Sequence, residues 1–298
     1  MTPQAQPEAN AAAAPAPGPT AAGTIIRIFI YVFFCLVGVL VVGGLVHDLT
    51  DNKMITGIAA TFSAAAIANV ICMRIYEQRS LAEVGLGWST ASVRHLGFGV
   101  LGGVGVAALI VLVPALFGLA SWTRAAERPS GWGAVLFWFI LILFGAVAEE
   151  FMFRGYGFQI MARRFGVWAT LLPMGVLFAA VHSGNPNVSN FGLLNTFLWG
   201  VALGWCVLRS GDLWLAIGVH AGWNWTLPLL GVNLSGITMR VSGMELQWKL
   251  DPLWSGGSYG PEGGLLSLVA MTLLLVGLYK APLKPQPLVL LLAERKQS

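Results

Sequence analysis

Eight apolar runs, each near the length of a membrane crossing, take up most of this 298-residue chain. They lie at roughly 25–46, 54–75, 95–120, 132–155, 167–182, 191–208, 213–230 and 264–281. A helix needs about 20 apolar residues to cross the hydrocarbon core of a bilayer. The runs are continuous, unlike the alternating segments of about ten residues that make a membrane barrel. Only 10% of the residues are charged, against about 25% in soluble domains. A chain of this size has too little polar surface to cover a globule in water. Lipid admits only helices and closed barrels, because every backbone polar group must be satisfied internally. The sequence therefore predicts an all-α polytopic membrane bundle of about eight transmembrane helices.

The flanks and linkers organise this bundle. Residues 1–23 are Ala/Pro-rich with no Lys or Arg and read as a disordered tail, not a signal peptide. Residues 24–282 read as one membrane domain with a motif core at 130–230, and 283–298 as a C-terminal tail. The fourth run has room to continue past Gly157 towards Arg163. The linker 231–263 is the longest, Gly-rich and polar, with Trp248 and Trp254 suited to the membrane interface. No internal repeat of the transporter type is visible. Cys35, Cys72 and Cys206 all fall in apolar runs, with neither metal-site nor disulfide spacing.

The basic residues are spread over the linkers and form no nucleic-acid patch; the bilayer itself is the expected partner. One end of the bundle collects Arg27, Arg74, Arg79, Arg94, Arg154, Arg163, Arg164, Arg209, Lys280, Lys284, Arg295 and Lys296. The other collects Lys53, Arg124, Arg128, Arg240 and Lys249. That is twelve against five, or eleven without intramembrane Arg154. The positive-inside rule then places both termini in the cytoplasm, with a bacterial-type inner (plasma) membrane as the expected location.

Two adjacent carboxylates interrupt the fourth run, WGAVLFWFILILFGAVAEEFMFRGYGF: Glu149 and Glu150. A charge near the centre of a membrane helix costs roughly 3 kcal/mol on insertion scales. Glu150 and Arg154 are four apart, so they share a helix face as a favourable ion pair. Glu149 is rotated by about 100° and has no partner on its own helix. The fifth run ends with Phe178 and His182 on one face. The seventh carries His220 and Asn224 one turn apart, among the small residues Gly218, Ala221 and Gly222 that permit close helix approach. Taken singly, these are a buried ion pair, an interface histidine and an interhelical hydrogen-bond pair. GNPN at 184–187 reads as a turn. Along straight helices Glu149 lies about 21 Å from Arg163, His182 about 27 Å from Arg164 and His220 about 12 Å from Asp212, so a common site requires tilt.

Such a site has a definite chemistry. A carboxylate in a poorly hydrated cavity can act as general base on water, while imidazole and an Asn amide can orient that water or donate to a developing oxyanion. No Ser/His/Asp set and no cysteine nucleophile motif is apparent, so attack by water is favoured over a covalent acyl-enzyme. EEFMFR (149–154), FAAVH (178–182) and HAGWN (220–224) resemble, in order, the EExxxR, FxxxH and HxxxN motifs of the CPBP family of intramembrane proteases. That family includes the type II CAAX prenyl endopeptidases and bacteriocin self-immunity proteins. RSLAEVGLGW (79–88) is similar to the polar stretch before that family's catalytic core.

The resemblance covers about 130–230 well. It implies an intramembrane endopeptidase acting on a peptide or lipidated protein, near the cytoplasmic side of the membrane. Glu149 would be the water-activating base, His182 its partner, and His220 with Asn224 the oxyanion-stabilising pair. Glu150, Arg154 and Phe178 would support them. Glu149, His182 and His220 could hold Zn²⁺ in number and type, although HExxH is absent and a metal-free glutamate mechanism is the other reading. Two alternatives from other classes stand beside the protease. One is a proton-coupled transporter relaying protons through Glu149, Glu150 and His182; the other is a non-catalytic scaffold or immunity factor.

Overall fold

A computed structural model of the chain describes residues 19–125, 132–239 and 241–292. Most of the expected N-terminal tail, the last residues of the C-terminal tail, and Arg128, Arg240, Arg295 and Lys296 lie outside the described residues. All eight apolar runs are helices: α1 (Ala21–Thr50), α2 (Lys53–Cys72), α3 (Thr90–Leu116), α4 (Trp132–Arg154), α6 (Trp168–Val181), α7 (Asn190–Ser210), α8 (Trp214–Leu229) and α10 (Leu265–Lys280). A shorter α5 (Tyr156–Phe165) follows α4, and α9 (Pro252–Ser255) and α11 (Val289–Leu292) are single turns. Five of the spans are long and apolar enough to cross a membrane, with α4 and α5 counted together. Phe29, Leu40, Leu101 and Leu116 stand exposed on their outer faces. That is the surface of a bundle whose solvent is lipid, and the chain is an integral membrane protein.

Helix ends are set locally. The Asn52 side chain accepts from the backbone N–H groups of Met54 and Ile55, both at 3.1 Å, and so starts α2. Ser189 does the same for α7 through Gly192 N–H at 3.0 Å. Thr20 accepts from Gly23 N–H, so α1 begins at Ala21 and takes in the last three residues of the stretch expected to be tail. The C-terminal tail is likewise docked as far as it is described. Gln286 N–H donates to Ser210 O at 2.7 Å, and Leu283, Leu288 and Leu290 are buried.

The fourth run does not continue straight to Arg163. It leaves helical geometry at Gly155 (φ −71°, ψ −144°). Asn69 on α2 accepts there from Tyr156 N–H at 2.7 Å and donates to Phe151 O at 3.1 Å. A side chain at position 155 would collide with Asn69 and with Phe151 O. This break removes the depth mismatch computed along straight helices, because Arg163 belongs to a separate helix packed against α1, α6 and the C-terminal turn.

The linker 231–263 is not a free loop. Met244–Trp248 forms β2, paired antiparallel with β1 (Ala120–Arg124) in the α3–α4 linker, with Trp122 opposite Leu246. The remainder folds back over the bundle through short helical turns at Gly257–Tyr259 and Pro261–Gly263. The hydropathy pattern gave no sign of this ribbon. Trp254 of this linker is exposed, whereas Trp248 is partly buried against the core.

The most extensive helix pairing is α3 on α8, and glycines make it possible. Gly99 and Gly103 on α3 face Gly218 and Gly222 on α8. A Cβ built on Gly218 would stand 3.0 Å from Gly99 Cα and 2.9 Å from Val100 N. Small residues four apart let backbones touch where the hydrophobic effect gives no drive between helices. Gly218→Val should therefore destabilise the bundle by about 1–3 kcal/mol, read as a lower thermal midpoint in detergent. Gly105→Ala, on the same helix but with open space around it, should leave the midpoint level or slightly higher.

Candidate active site

α8 is fixed against α3 on its glycine face, and its opposite face turns inward with His220. α4 brings Glu149 and Glu150 to the same level, and α6 ends there, since His182 is the residue after its last helical turn. Glu149 Oε2 lies 3.8 Å from His182 Nε2 and 3.8 Å from His220 Nε2. It is a buried oxygen with no hydrogen-bond partner. Asn224, one turn beyond His220, lines the same cavity, which measures about 540 Å³.

The two imidazoles are held from behind. His182 Nδ1 is 2.7 Å from Phe178 O. A carbonyl only accepts, so Nδ1 carries the proton and the Nε2 of neutral His182 is a bare acceptor. His220 Nδ1 donates to Glu150 Oε1 at 2.8 Å, which leaves its Nε2 facing Glu149 as well. Both rings thus present the same nitrogen to one carboxylate oxygen. At 3.8 Å these atoms are too far apart to bond directly. A water between them could donate to Oε2 and to one Nε2.

Glu150 is wholly buried. Besides His220 it accepts from Arg154 Nη1 at 3.2 Å. Arg154, 1% exposed, also donates from Nη2 to Gly200 O of α7 at 2.9 Å. Its guanidinium lies 4.7 Å from the centre of the Phe178 ring. That ring packs edge-on against Phe153 at 5.3 Å and lies 4.7 Å from the His182 ring. The support residues form one stack: Gly200 O, Arg154, Glu150 and His220 in line, with Phe178 beneath both the cation and His182.

Three features of the site lay outside the sequence reading. The first is the Glu150–His220 bond, since the helix pattern accounts for Glu150 through Arg154 alone. The second is Glu262, a buried carboxylate from the folded-back linker that lines the same cavity. It accepts from Trp223 Nε1 at 3.0 Å and from Ser235 Oγ at 2.7 Å, and so fastens the linker to α8. The one signal for it was an isolated carboxylate, PEGG, just before the last span. The third is the apolar part of the cavity wall, which includes Leu36 and Val39 of α1, Met54 and Ile58 of α2, and Ile142 and Met152 of α4.

The zinc reading is not supported by this arrangement. Among the described residues no group of three or more His, Cys, Asp or Glu side chains is disposed to hold a metal ion.

Residues 131–226, which carry all three motifs and this geometry, match the family model for type II CAAX prenyl endopeptidase Rce1-like proteins. That match, over about a third of the chain, makes this core similar to the CPBP family of intramembrane proteases. No curated protein and no solved structure matches the chain. The family is one of hydrolases acting on peptide bonds, and the matched segment runs from α4 to α8, the elements that meet around Glu149.

Removing one partner of a buried ion pair costs about 3–5 kcal/mol, because the other charge is stranded. Arg154→Ala should lower the thermal midpoint well beyond the effect of an exposed change such as Arg164→Ala. A midpoint equal to that of the Arg164 variant would show that Glu150 does not depend on Arg154.

Proposed function

We propose that the chain is an intramembrane endopeptidase in which Glu149 activates water for attack on a peptide carbonyl. The observation that supports this most is the unpartnered Oε2 of Glu149, set between two imidazole nitrogens that are each locked from behind. Water held there gives a proton to Glu149 as its oxygen bonds to the scissile carbonyl carbon. The carbonyl oxygen becomes an oxyanion, for which the Asn224 amide and His220, when it carries a proton on Nε2, are the donors. The C–N bond then breaks, and Glu149 returns its proton to the leaving amine. His182 keeps the water in line through Nε2. Glu150, Arg154 and Phe178 act as positioning residues, holding His220 and His182 in place.

The domain for this activity would be 24–282, with both termini in the cytoplasm. The apolar wall of the cavity suits a substrate carrying a lipid or a hydrophobic segment, in the manner of a CAAX processor. Such a substrate would slide between α1, α2 and α4 while its peptide bond reaches Glu149.

General-base catalysis contributes about 10²–10⁴-fold. Glu149→Gln should reduce turnover of a prenylated reporter peptide by that order, with the thermal midpoint in detergent unchanged. Unaltered turnover in a folded Gln variant would sink the mechanism. A paired assay with the unprenylated reporter would show whether the lipid is needed.

A further inference from the structure

The folded-back linker borders the cavity with a tight hairpin, and one buried carboxylate holds that hairpin. Leu234 N–H donates to Ile237 O at 3.0 Å, and Ile237 N–H donates to Leu234 O at 2.8 Å. The two residues between them, Ser235 and Gly236, have φ of +49° and +81°. Two successive positive φ angles are the pattern of a type I′ turn, whose first position favours Asn, Asp or Gly. Serine is uncommon in that conformation. Here Glu262 holds it: Oε2 accepts from Ser235 N–H and, at 2.7 Å, from Ser235 Oγ. The other oxygen, Oε1, accepts from Trp223 Nε1 of α8 at 3.0 Å. The main-chain oxygen of Glu262 accepts in turn from Asn195 Nδ2 of α7 at 2.9 Å.

The hairpin is wedged between the two sides of the site. On one side Gly236 packs on the turn that follows His182. A side chain at position 236 would collide with Pro186 O, and Asn185 N–H in that turn donates to His182 O at 3.1 Å. On the other side Trp223, which links Glu262 to α8, immediately precedes Asn224. Its ring is buried 4.8 Å from that of Trp199. Leu234, Ile237 and Met239 line the same cavity as Glu149, His182 and Asn224. A peptide that leaves water for such a cavity needs partners for its N–H and C=O groups. The helical walls have few to spare, because helix backbone is bonded within its own segment. The hairpin brings non-helical backbone to the cavity.

A residue held in a sparsely populated backbone conformation by its surroundings points to a functional constraint. We infer that the Leu234–Met239 hairpin is the wall against which the peptide part of the substrate lies, and that Glu262 is its positioning residue. This rests on the peptidase reading. Both carboxylate oxygens of Glu262 are taken up by Trp223 and Ser235, so Glu262 acts through the hairpin and takes no part in proton transfer. The apolar wall of α1, α2 and α4 is left for the lipid or hydrophobic segment of the same substrate.

Two readouts on the full chain in detergent test this. In Glu262→Gln, hydrogen exchange of the Ser235, Gly236 and Ile237 amides should speed up about tenfold, with α2 and α3 unchanged. Binding of a fluorescent prenylated reporter peptide is read by anisotropy in a Glu149→Gln background, so that it needs no turnover. Adding Glu262→Gln there should raise Kd about tenfold. In the otherwise natural chain the same change should raise KM about tenfold and leave kcat within about twofold, a split that general loss of structure does not produce. Ser235→Gly, which suits the turn without help from a side chain, should restore most of the lost affinity. Unchanged exchange overturns the inference, and so does faster exchange with unchanged Kd. Should Glu262→Gln fail to accumulate, Ile237→Asp, at an exposed position of the wall, decides: weaker binding by about tenfold supports the inference, and unchanged binding overturns it. Binding that depends on Glu262, in a chain that never cleaves the reporter, faults the peptidase and leaves the hairpin standing. Cleavage with a KM indifferent to both Glu262→Gln and Ile237→Asp faults the hairpin and leaves the peptidase standing.

Discussion

A buried charge in a bundle dissolved in lipid has to find its partners inside the protein, and this fold is organised around one such set. Glu150 is wholly buried and is reached by Arg154 from its own helix and by His220 from α8. Arg154 in turn is tied to the backbone of α7 and lies over Phe178 of α6. Four helices are thereby keyed to one carboxylate. The energetic reason is one-sided: a paired buried ion contributes little net stability, but an unpaired one is severely unfavourable. The bundle is specified by what each wrong packing would strand.

The second constraint is steric. With no hydrophobic drive between helices in lipid, α8 approaches α3 because glycines face glycines. That contact commits one face of α8, and the face left over carries His220 and Asn224 to the cavity. The break at Gly155, held by Asn69, plays a similar part for α4. It ends the helix shortly after Glu149 and Glu150 and lets α5 turn away, so that two carboxylates and the end of α6 share a level. Glu149 differs from its neighbour in having been left out of these arrangements. Its outer oxygen is buried, unpartnered and flanked by two oriented imidazoles.

Much of this was legible in the chain. Eight apolar runs became eight helices, with boundaries moved by a few residues where Thr20, Asn52 or Ser189 supplies a cap. The contrast between Glu150, explained by Arg154, and Glu149, explained by nothing nearby, follows from helical spacing alone. So does the pairing of His220 with Asn224 on one face. Less legible were the features made by residues distant in sequence. The β1–β2 ribbon joins two polar linkers whose composition reads as loop. Glu262 sits in a glycine-rich stretch and becomes part of the cavity only because Trp223 and Ser235 hold it there.

Hydropathy, helical periodicity and the order of three short motifs determined the fold class and the membrane environment and singled out the residues proposed for the chemistry. They could do so because lipid leaves the backbone almost no choice, and because a carboxylate or imidazole in hydrocarbon is too costly to be incidental. Tertiary structure alone decided that Glu150 serves His220, that Glu149 Oε2 stands between two imidazole nitrogens, and that Glu262 of the folded-back linker lines the same cavity. Those outcomes depend on which helix faces meet and on which linkers fold back over the bundle. Both are fixed by contacts between helices, and a pattern read along one helix at a time does not contain them.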